Sequence, residues 1–260
     1  MSDEPVSVDW RAHAARGRYD LAAQTLRLSG GHDDVLQDAL EGLSDVLAAV
    51  RDKAYARART ALERIDERPD EEGLDWQALE ADLEALAEAA AALDQREPEE
   101  AKERLARVGG HAYPAETATL LGTLAVFEGA SEVARERFAQ ALEFDPNHYR
   151  ALTNLGNIKL EDGDVDGAIE AYERAIKLND GFANAHHNLG VALRRKGQLG
   201  RSVQALKRAQ REASRREAEE ARSRLGSGRR GKTATSSATT FRWLIWAAIA
   251  AAVVWIVANR

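Results

Sequence analysis

The chain contains no cysteine and only five prolines in 260 residues, and both absences restrict what it can be. Without cysteine it can build neither a disulfide framework nor a thiolate metal site, and it has no thiol nucleophile. The scarcity of proline leaves long stretches free to form helices, which the abundant alanine and leucine also favour. The sequence therefore predicts an all-α protein.

Positive charge is scarce in most of the chain. The formal net charge is −7, with balances of −12 for residues 1–110, −4 for residues 111–200 and +9 for residues 201–260. A body that binds nucleic acid would present a basic surface, so we expect no nucleic acid among the partners.

Motifs for catalysis and metal binding are also missing from the sequence. None of the six histidines forms a His-x-x-x-His or His-Glu-x-x-His pair, and there is no phosphate-binding glycine motif and no Gly-x-Ser-x-Gly elbow. We therefore expect no enzyme, no cofactor and no metal site.

One segment nevertheless fits the calcium-binding pattern of an EF-hand. Asp162, Asp164, Asp166 and Glu173 stand at loop positions 1, 3, 5 and 12, and Gly167 follows the third aspartate. The same residues can instead form the turn of a helix hairpin, with Asp166 capping the second helix. In that arrangement Glu173 points along the helix and cannot complete a calcium cage, and we favour this interpretation.

A period of 34 residues organises residues 115–216. If units begin at Ala115, Tyr149 and Ala183, positions 7 and 8 are Leu-Gly, position 15 is glycine, position 20 is alanine or serine, and position 27 is alanine. Helical spacing relates positions 4, 7, 8 and 11 of each unit, and it also relates positions 20, 24 and 27. This pattern predicts two helices in each unit that pack together. Glycine at position 8 allows close approach, and glycine at position 15 suits a helix end with positive φ.

In period and in these positional residues the units resemble the tetratricopeptide repeat (TPR) family. The resemblance implies an α-solenoid of stacked helix hairpins with a concave groove that binds proteins or extended peptides. Degenerate copies occur earlier in the chain, in the triplets Gly17, Ala22, Leu26, then Ala58, Leu62, Ile65, and finally Ala101, Leu105, Val108. We predict that residues 1–8 are disordered and that residues 9–114 form three degenerate TPR-like hairpins. Residues 115–225 should form three TPR units with an extended capping helix. A polar outer face on that last helix would keep the end of the array soluble.

The resemblance also implies which residues line the groove, because TPR relatives use positions 2, 5, 6, 9, 12 and 13 of each first helix. The candidates for a peptide-binding groove are Arg150, Thr153, Asn154, Asn157, Asn184, His187, Asn188, Val191, Arg194 and Arg195. Asn154 and Asn188 share position 6 and suggest an asparagine ladder that holds an extended peptide backbone, since an amide both donates and accepts. The alternative is that both are merely solvated. The family's basic clamp for a terminal carboxylate is not met, because Thr153 replaces its first lysine.

The C-terminal residues change character twice. Residues 226–240 are rich in glycine, serine, threonine and basic side chains and predict a flexible linker. Residues 243–258 carry no charge and would form a helix of roughly 24 Å. We predict a transmembrane tail anchor at 241–260, with Trp243, Trp246 and Trp255 near the two membrane interfaces. The alternatives are a buried soluble helix and an aggregation-prone tail.

Charges beside this segment predict its orientation. Basic residues precede it, so the positive-inside rule places the body in the cytoplasm, and the same basic neck can bind anionic lipid headgroups. Arginine outnumbers lysine by 29 to 7, which favours a bacterial inner membrane over the surface of a eukaryotic organelle. We therefore expect a single-pass, membrane-tethered scaffold or adaptor that recruits or assembles proteins at the cytoplasmic face. The alternative is a structural or accessory subunit of a larger membrane complex, with the solenoid buried against fixed partners.

Overall fold

The computed structural model describes residues 9–29, 33–71, 74–109 and 112–227, and every regular element in these ranges is an α-helix. The prediction of an all-α helical-repeat fold is confirmed. The helices pair in chain order as six hairpins. They are α1 (Trp10–Ala14), α2 (Tyr19–Leu28), α3 (Asp34–Arg51), α4 (Tyr55–Glu63), α5 (Trp76–Gln95), α6 (Pro98–Leu105), α7 (Pro114–Phe127), α8 (Ser131–Phe144), α9 (Tyr149–Glu161), α10 (Val165–Leu178), α11 (Ala183–Arg195) and α12 (Leu199–Ser227).

One hydrophobic core joins the first three hairpins to α7. Leu40, Leu43 and Leu86 are fully buried in it, and α7 contributes Leu120 and Leu124. Smaller clusters follow between successive hairpins after α7. This is the organisation expected of a repeat array, in which each hairpin buries its apolar face against its neighbours.

Glycine at position 8 lets the two helices of a hairpin touch. A Cβ atom on Gly156 would lie 2.7 Å from Cε1 of Tyr172, and one on Gly122 would lie 2.6 Å from Cε1 of Phe138. Both distances are shorter than any real Cβ contact, so the aromatic rings rest on the glycine backbone. The close approach expected from the sequence is therefore present.

Each hairpin turn contains one residue with positive φ. These residues are Gly17 (63°), Lys53 (59°), Arg96 (62°), Gly129 (75°), Gly163 (87°) and Gly197 (81°). The three glycines at position 15 behave as predicted. In the second and third hairpins a lysine and an arginine adopt a conformation that costs a non-glycine residue about 1 kcal/mol or more.

The described residues divide into two compact bodies, 9–212 and 213–227. The second body is the C-terminal part of α12, where Nε of Arg215 donates to Oε1 of Glu219 at 3.0 Å. The helix ends at Ser227, two residues inside the predicted linker. The rest of that linker, the predicted anchor with Trp243, Trp246 and Trp255, and residues 1–8 lie outside the described residues. No helix within the described ranges is long and apolar enough to cross a bilayer.

We expected a polar outer face on α12, but its first turns expose apolar side chains instead. Leu199 is 63% exposed and Val203 is 51% exposed. In the preceding hairpin the residues at the same two repeat positions are also apolar, and there the next hairpin packs against them.

Candidate functional site

A buried ion pair occupies the N-terminal end of the predicted groove. Nη1 of Arg150, at the start of α9, donates to both carboxylate oxygens of Glu116 on α7 at 3.0 Å. The hydroxyl of Tyr55, on α4, donates to Oε1 of Glu116 at 2.6 Å. The Glu116 side chain is only 2% exposed, so three helices meet around one carboxylate.

His148 completes the set of donors around this carboxylate. Its Nε2 lies 3.1 Å from Oε2 of Glu116, and its Nδ1 accepts from the backbone N–H of Ala151 at 3.2 Å. Because Nδ1 is an acceptor, the proton sits on Nε2 and is donated to Glu116. The same ring therefore caps α9 and holds the buried carboxylate.

The carboxylate remains ionised in this position. Burial alone would raise the pKa of Glu116, but Arg150, His148 and Tyr55 together outweigh it and lower the pKa from 4.5 to about 2. Burial and the neighbouring carboxylate raise the pKa of the Tyr55 hydroxyl, which keeps it a donor. Burial acts to lower the pKa of Arg150, yet Glu116 outweighs it and the pKa is raised. Glu116 and Arg150 therefore form a charged structural pair at neutral pH.

The turn between α3 and α4 docks on the same region. The hydroxyl of Tyr149 donates to Oδ1 of Asp52 at 3.0 Å, and Nε of Arg51 donates to Oδ2 of Asp145 at 2.7 Å. These contacts connect the second hairpin to the start of the fifth, whereas repeats in a simple solenoid touch only their neighbours. We call the whole contact region the N-terminal joint, and it consists of Arg51, Asp52, Tyr55, Glu116, Asp145, His148, Tyr149 and Arg150.

The first hairpin reaches the same place. Nε of Arg18 donates to the backbone carbonyl of Phe144 at 3.2 Å, and Nη2 donates to that of Glu143 at 2.6 Å. A cationic side chain at the carbonyl end of α8 is favourable for the helix dipole. A pocket of about 260 Å³ remains beside these contacts, and its walls include Arg51, Asp145 and other residues of the N-terminal joint.

Two predicted groove residues are therefore corrected. The guanidinium of Arg150 forms an ion pair with Glu116 inside the N-terminal joint, so it is not available to bind a peptide. Thr153 is 3% exposed, and its hydroxyl donates to the carbonyl of Tyr149 at 2.9 Å. Sequence position alone placed both on the concave face, but the N-terminal hairpins cover this part of the array.

The side chains of Asn157 and Asn188, in neighbouring units, are hydrogen-bonded to each other. Nδ2 of Asn188 donates to Oδ1 of Asn157 at 2.8 Å, and the same oxygen accepts from the hydroxyl of Tyr172 at 2.8 Å. Asn154 is half-buried and makes no side-chain hydrogen bond to the described residues. The contact thus joins position 9 of one unit to position 6 of the next.

The remaining candidates lie on α9 and α11, beyond the N-terminal joint. Asn184, His187 and Arg194 are exposed, and Val191 is half-buried. Nη1 of Arg195 donates to the carbonyl of Leu160 at 2.6 Å. We call this surface the C-terminal groove, and it comprises Asn154, Asn157, Asn184, His187, Asn188, Val191, Arg194 and Arg195.

The acidic segment that fits the EF-hand pattern is a hairpin turn. Asp164, rather than the predicted Asp166, caps α10 by accepting from the N–H of Gly167 at 2.9 Å. Asp162 pairs with Arg135 at 2.7 Å, and Asp166 pairs with Lys196. Glu173 also has a cationic partner on α12. No group of three potential metal ligands occurs among the described residues.

Comparisons with known proteins support the TPR family for part of the chain. A family model described as TPR repeat matches residues 156–197, and one described as tetratricopeptide repeat matches residues 138–170. Together the two matches span residues 138–197, within the segment whose 34-residue period resembles this family. No curated protein sequence matches the chain.

Two solved structures are similar to part of this chain. A crystal structure of MamA is 21% identical, covers 66% of this chain and 95% of that chain, and has a TM-score of 0.43. PilF from Pseudomonas aeruginosa is 18% identical, covers 78% of each chain, and also has a TM-score of 0.43. At these TM-scores the likeness supports no conclusion about partners.

Proposed function

We propose that this TPR-bearing chain is a membrane-tethered scaffold whose C-terminal groove binds an extended segment of a partner protein at the cytoplasmic membrane face. The Asn157–Asn188 pair is the observation that supports this proposal most directly. Their hydrogen bond fixes both amides, yet Nδ2 of Asn157 and Oδ1 of Asn188 have no partner among the described residues. One free donor beside one free acceptor matches the needs of a peptide backbone.

The surroundings of this pair suit a polar segment. His187, Asn184 and Arg194 are exposed nearby on α11 and supply further donors, and Arg194 carries an unpaired positive charge among the described residues. Because the N-terminal joint closes the other end of the array, a partner segment would run along α9 and α11. Partners would therefore be proteins or peptides, with no nucleic acid.

Tethering is proposed from the sequence. An uncharged stretch at 243–258 follows a basic neck, which favours a single-pass anchor with the body in the cytoplasm. We propose the bacterial inner membrane as its location, and anionic lipid as a further ligand of the neck. The scaffold would then recruit or assemble its partners beside the bilayer.

The test compares variants in one pull-down. Full-length protein is recovered from detergent-solubilised membranes, and associated proteins are quantified by mass spectrometry. Asn157→Ala with Asn188→Ala should lower partner recovery by roughly tenfold, since removing polar groups that pair with the bound segment costs about 1–3 kcal/mol. The matched control is Glu136→Ala with Glu170→Ala, two exposed residues on second helices, and it should retain the partner.

A second function is favoured by exposed apolar side chains outside the residues of the C-terminal groove. Val126 and Phe127, at the end of α7, are 50% and 45% exposed, and Val133 on α8 is 46% exposed. Such residues would be buried if the solenoid were a fixed accessory subunit of a larger complex. Loss of the partner on Val126→Ser with Val133→Ser, together with full recovery by the asparagine variant, would favour this alternative.

A further inference from the structure

The first turns of α12 present an uncovered stacking surface. In the 34-residue numbering, Leu199 is position 17 and Val203 is position 21 of the last unit. Their exposed fractions, 63% and 51%, are large for aliphatic side chains on a helix that is otherwise packed against α11. The opposite side of these turns is well packed, with the hydroxyl of Ser202 donating to the carbonyl of Gly190 at 2.7 Å.

The preceding hairpin shows what such a surface is used for. On α10, positions 17 and 21 are Val165 and Ile169, and the second of these is only 8% exposed. Both pack into one cluster with Leu189 and Leu193 of α11. The aliphatic pair on α10 thus holds the first helix of the next hairpin, and no described residue does this for Leu199 and Val203.

Charge at the edge of this surface distinguishes the kind of hairpin that fits. At position 25 of the middle unit, Glu173 pairs with Arg201 of the following hairpin at 2.8 Å. The same position in the last unit is Lys207, which is exposed and has no ionic partner among the described residues. A docked hairpin with the sequence of this chain's last unit would place an arginine, equivalent to Arg201, beside Lys207. The two positive charges would repel each other.

We propose that α12 docks a helix hairpin of a partner protein that is apolar on its first helix and acidic where this chain has Arg201. The partner hairpin would extend the array by one repeat. Its first helix would cover Leu199 and Val203, and an acidic residue on its second helix would pair with Lys207. This surface differs from the C-terminal groove, so the inference does not depend on the proposed function.

The experiment uses full-length protein in mild detergent and two labelled probe hairpins. One probe copies residues 183–216, and the other is the same hairpin with Arg201→Glu. Both are stapled between their helices and checked for helicity by circular dichroism. Fluorescence anisotropy should show the glutamate probe binding at least fivefold more tightly than the unaltered copy.

Variants of the full-length protein then locate the contact. Leu199→Ser with Val203→Ser should weaken binding of the glutamate probe at least tenfold. The control Leu28→Ser with Val35→Ser, at other exposed aliphatic residues, should leave that binding unchanged. Lys207→Glu should reverse the preference, so that the unaltered copy binds more tightly. Absence of binding by the helical glutamate probe, equal binding of both probes, or insensitivity to the serine variant would each overturn the proposal.

Discussion

The N-terminal joint gives the sharpest prediction about stability, through Glu116→Gln. This change keeps the shape of the side chain and removes its charge, leaving Arg150 buried without an anion. The pKa of Glu116 falls from 4.5 to about 2 in the folded chain. A change of one in pKa is worth about 1.4 kcal/mol, so folding favours the ionised form of Glu116 by roughly 3 kcal/mol. Breaking a buried pair typically costs a similar amount, about 3–5 kcal/mol.

The pH dependence follows from the direction of that change. Because the pKa is lowered on folding, the stabilisation by Glu116 is fully present above about pH 4.5 and is lost as the pH falls toward 2. Wild type and Glu116→Gln should therefore differ by about 3 kcal/mol at neutral pH and by little at pH 2.

Urea unfolding of the chain ending at residue 240, followed by far-ultraviolet circular dichroism, measures both quantities. The control is Glu132→Gln, whose side chain is 80% exposed and pairs with Arg135 at 3.3 Å; we expect a change below about 0.5 kcal/mol. Adding Arg150→Met to Glu116→Gln should recover part of the loss, because it removes the unpaired cation. A cost below about 1 kcal/mol at neutral pH, or a difference that persists unchanged at pH 2, would show that this ion pair does not stabilise the fold as proposed.

Three further predictions concern the hairpins and the tail. Gly156→Ala should destabilise by about 1–3 kcal/mol, because its Cβ would lie 2.7 Å from Tyr172, whereas Gly200→Ala meets nothing within 4 Å and should not; urea midpoints compare the two. Arg96→Gly should stabilise by up to about 1 kcal/mol by relieving a φ of 62°, and an unchanged or lower melting temperature would count against this. Full-length protein should resist carbonate extraction from membranes, and deletion of 241–260 should release a folded helical protein; extraction of the full-length chain would exclude the anchor.

Features that repeat within one hairpin could be predicted from the sequence. Position 8 needs a glycine where an aromatic ring from the partner helix lies on the backbone, as at Gly156, and position 15 favours one where φ is positive, as at Gly163. Both requirements are local, so the residue type carries the information. The same turn cannot be recognised from the sequence in two earlier hairpins, where Lys53 and Arg96 adopt the positive φ. Non-glycine residues can adopt that conformation at a modest energetic cost.

The N-terminal joint could not be predicted in this way. Tyr55 and Glu116 are 61 residues apart, and nothing in the repeat pattern relates one to the other. Glu116 stands at position 2, where the family places groove residues, so its burial depends on the N-terminal hairpins closing over α7. The hydrogen bond between Asn157 and Asn188 could not be predicted for a similar reason. Repeat numbering aligned Asn154 with Asn188, but the stagger between neighbouring helices brings Asn157 opposite Asn188 instead.

Site-specific photo-cross-linking in cells tests whether the C-terminal groove holds the partner. A photoreactive residue would be placed at His187, in the groove, and separately at Glu170, an exposed position on α10 outside it. We expect a discrete cross-linked partner from His187 and none from Glu170. A partner captured from Glu170 alone would contradict it and would place recognition on the other face of the array.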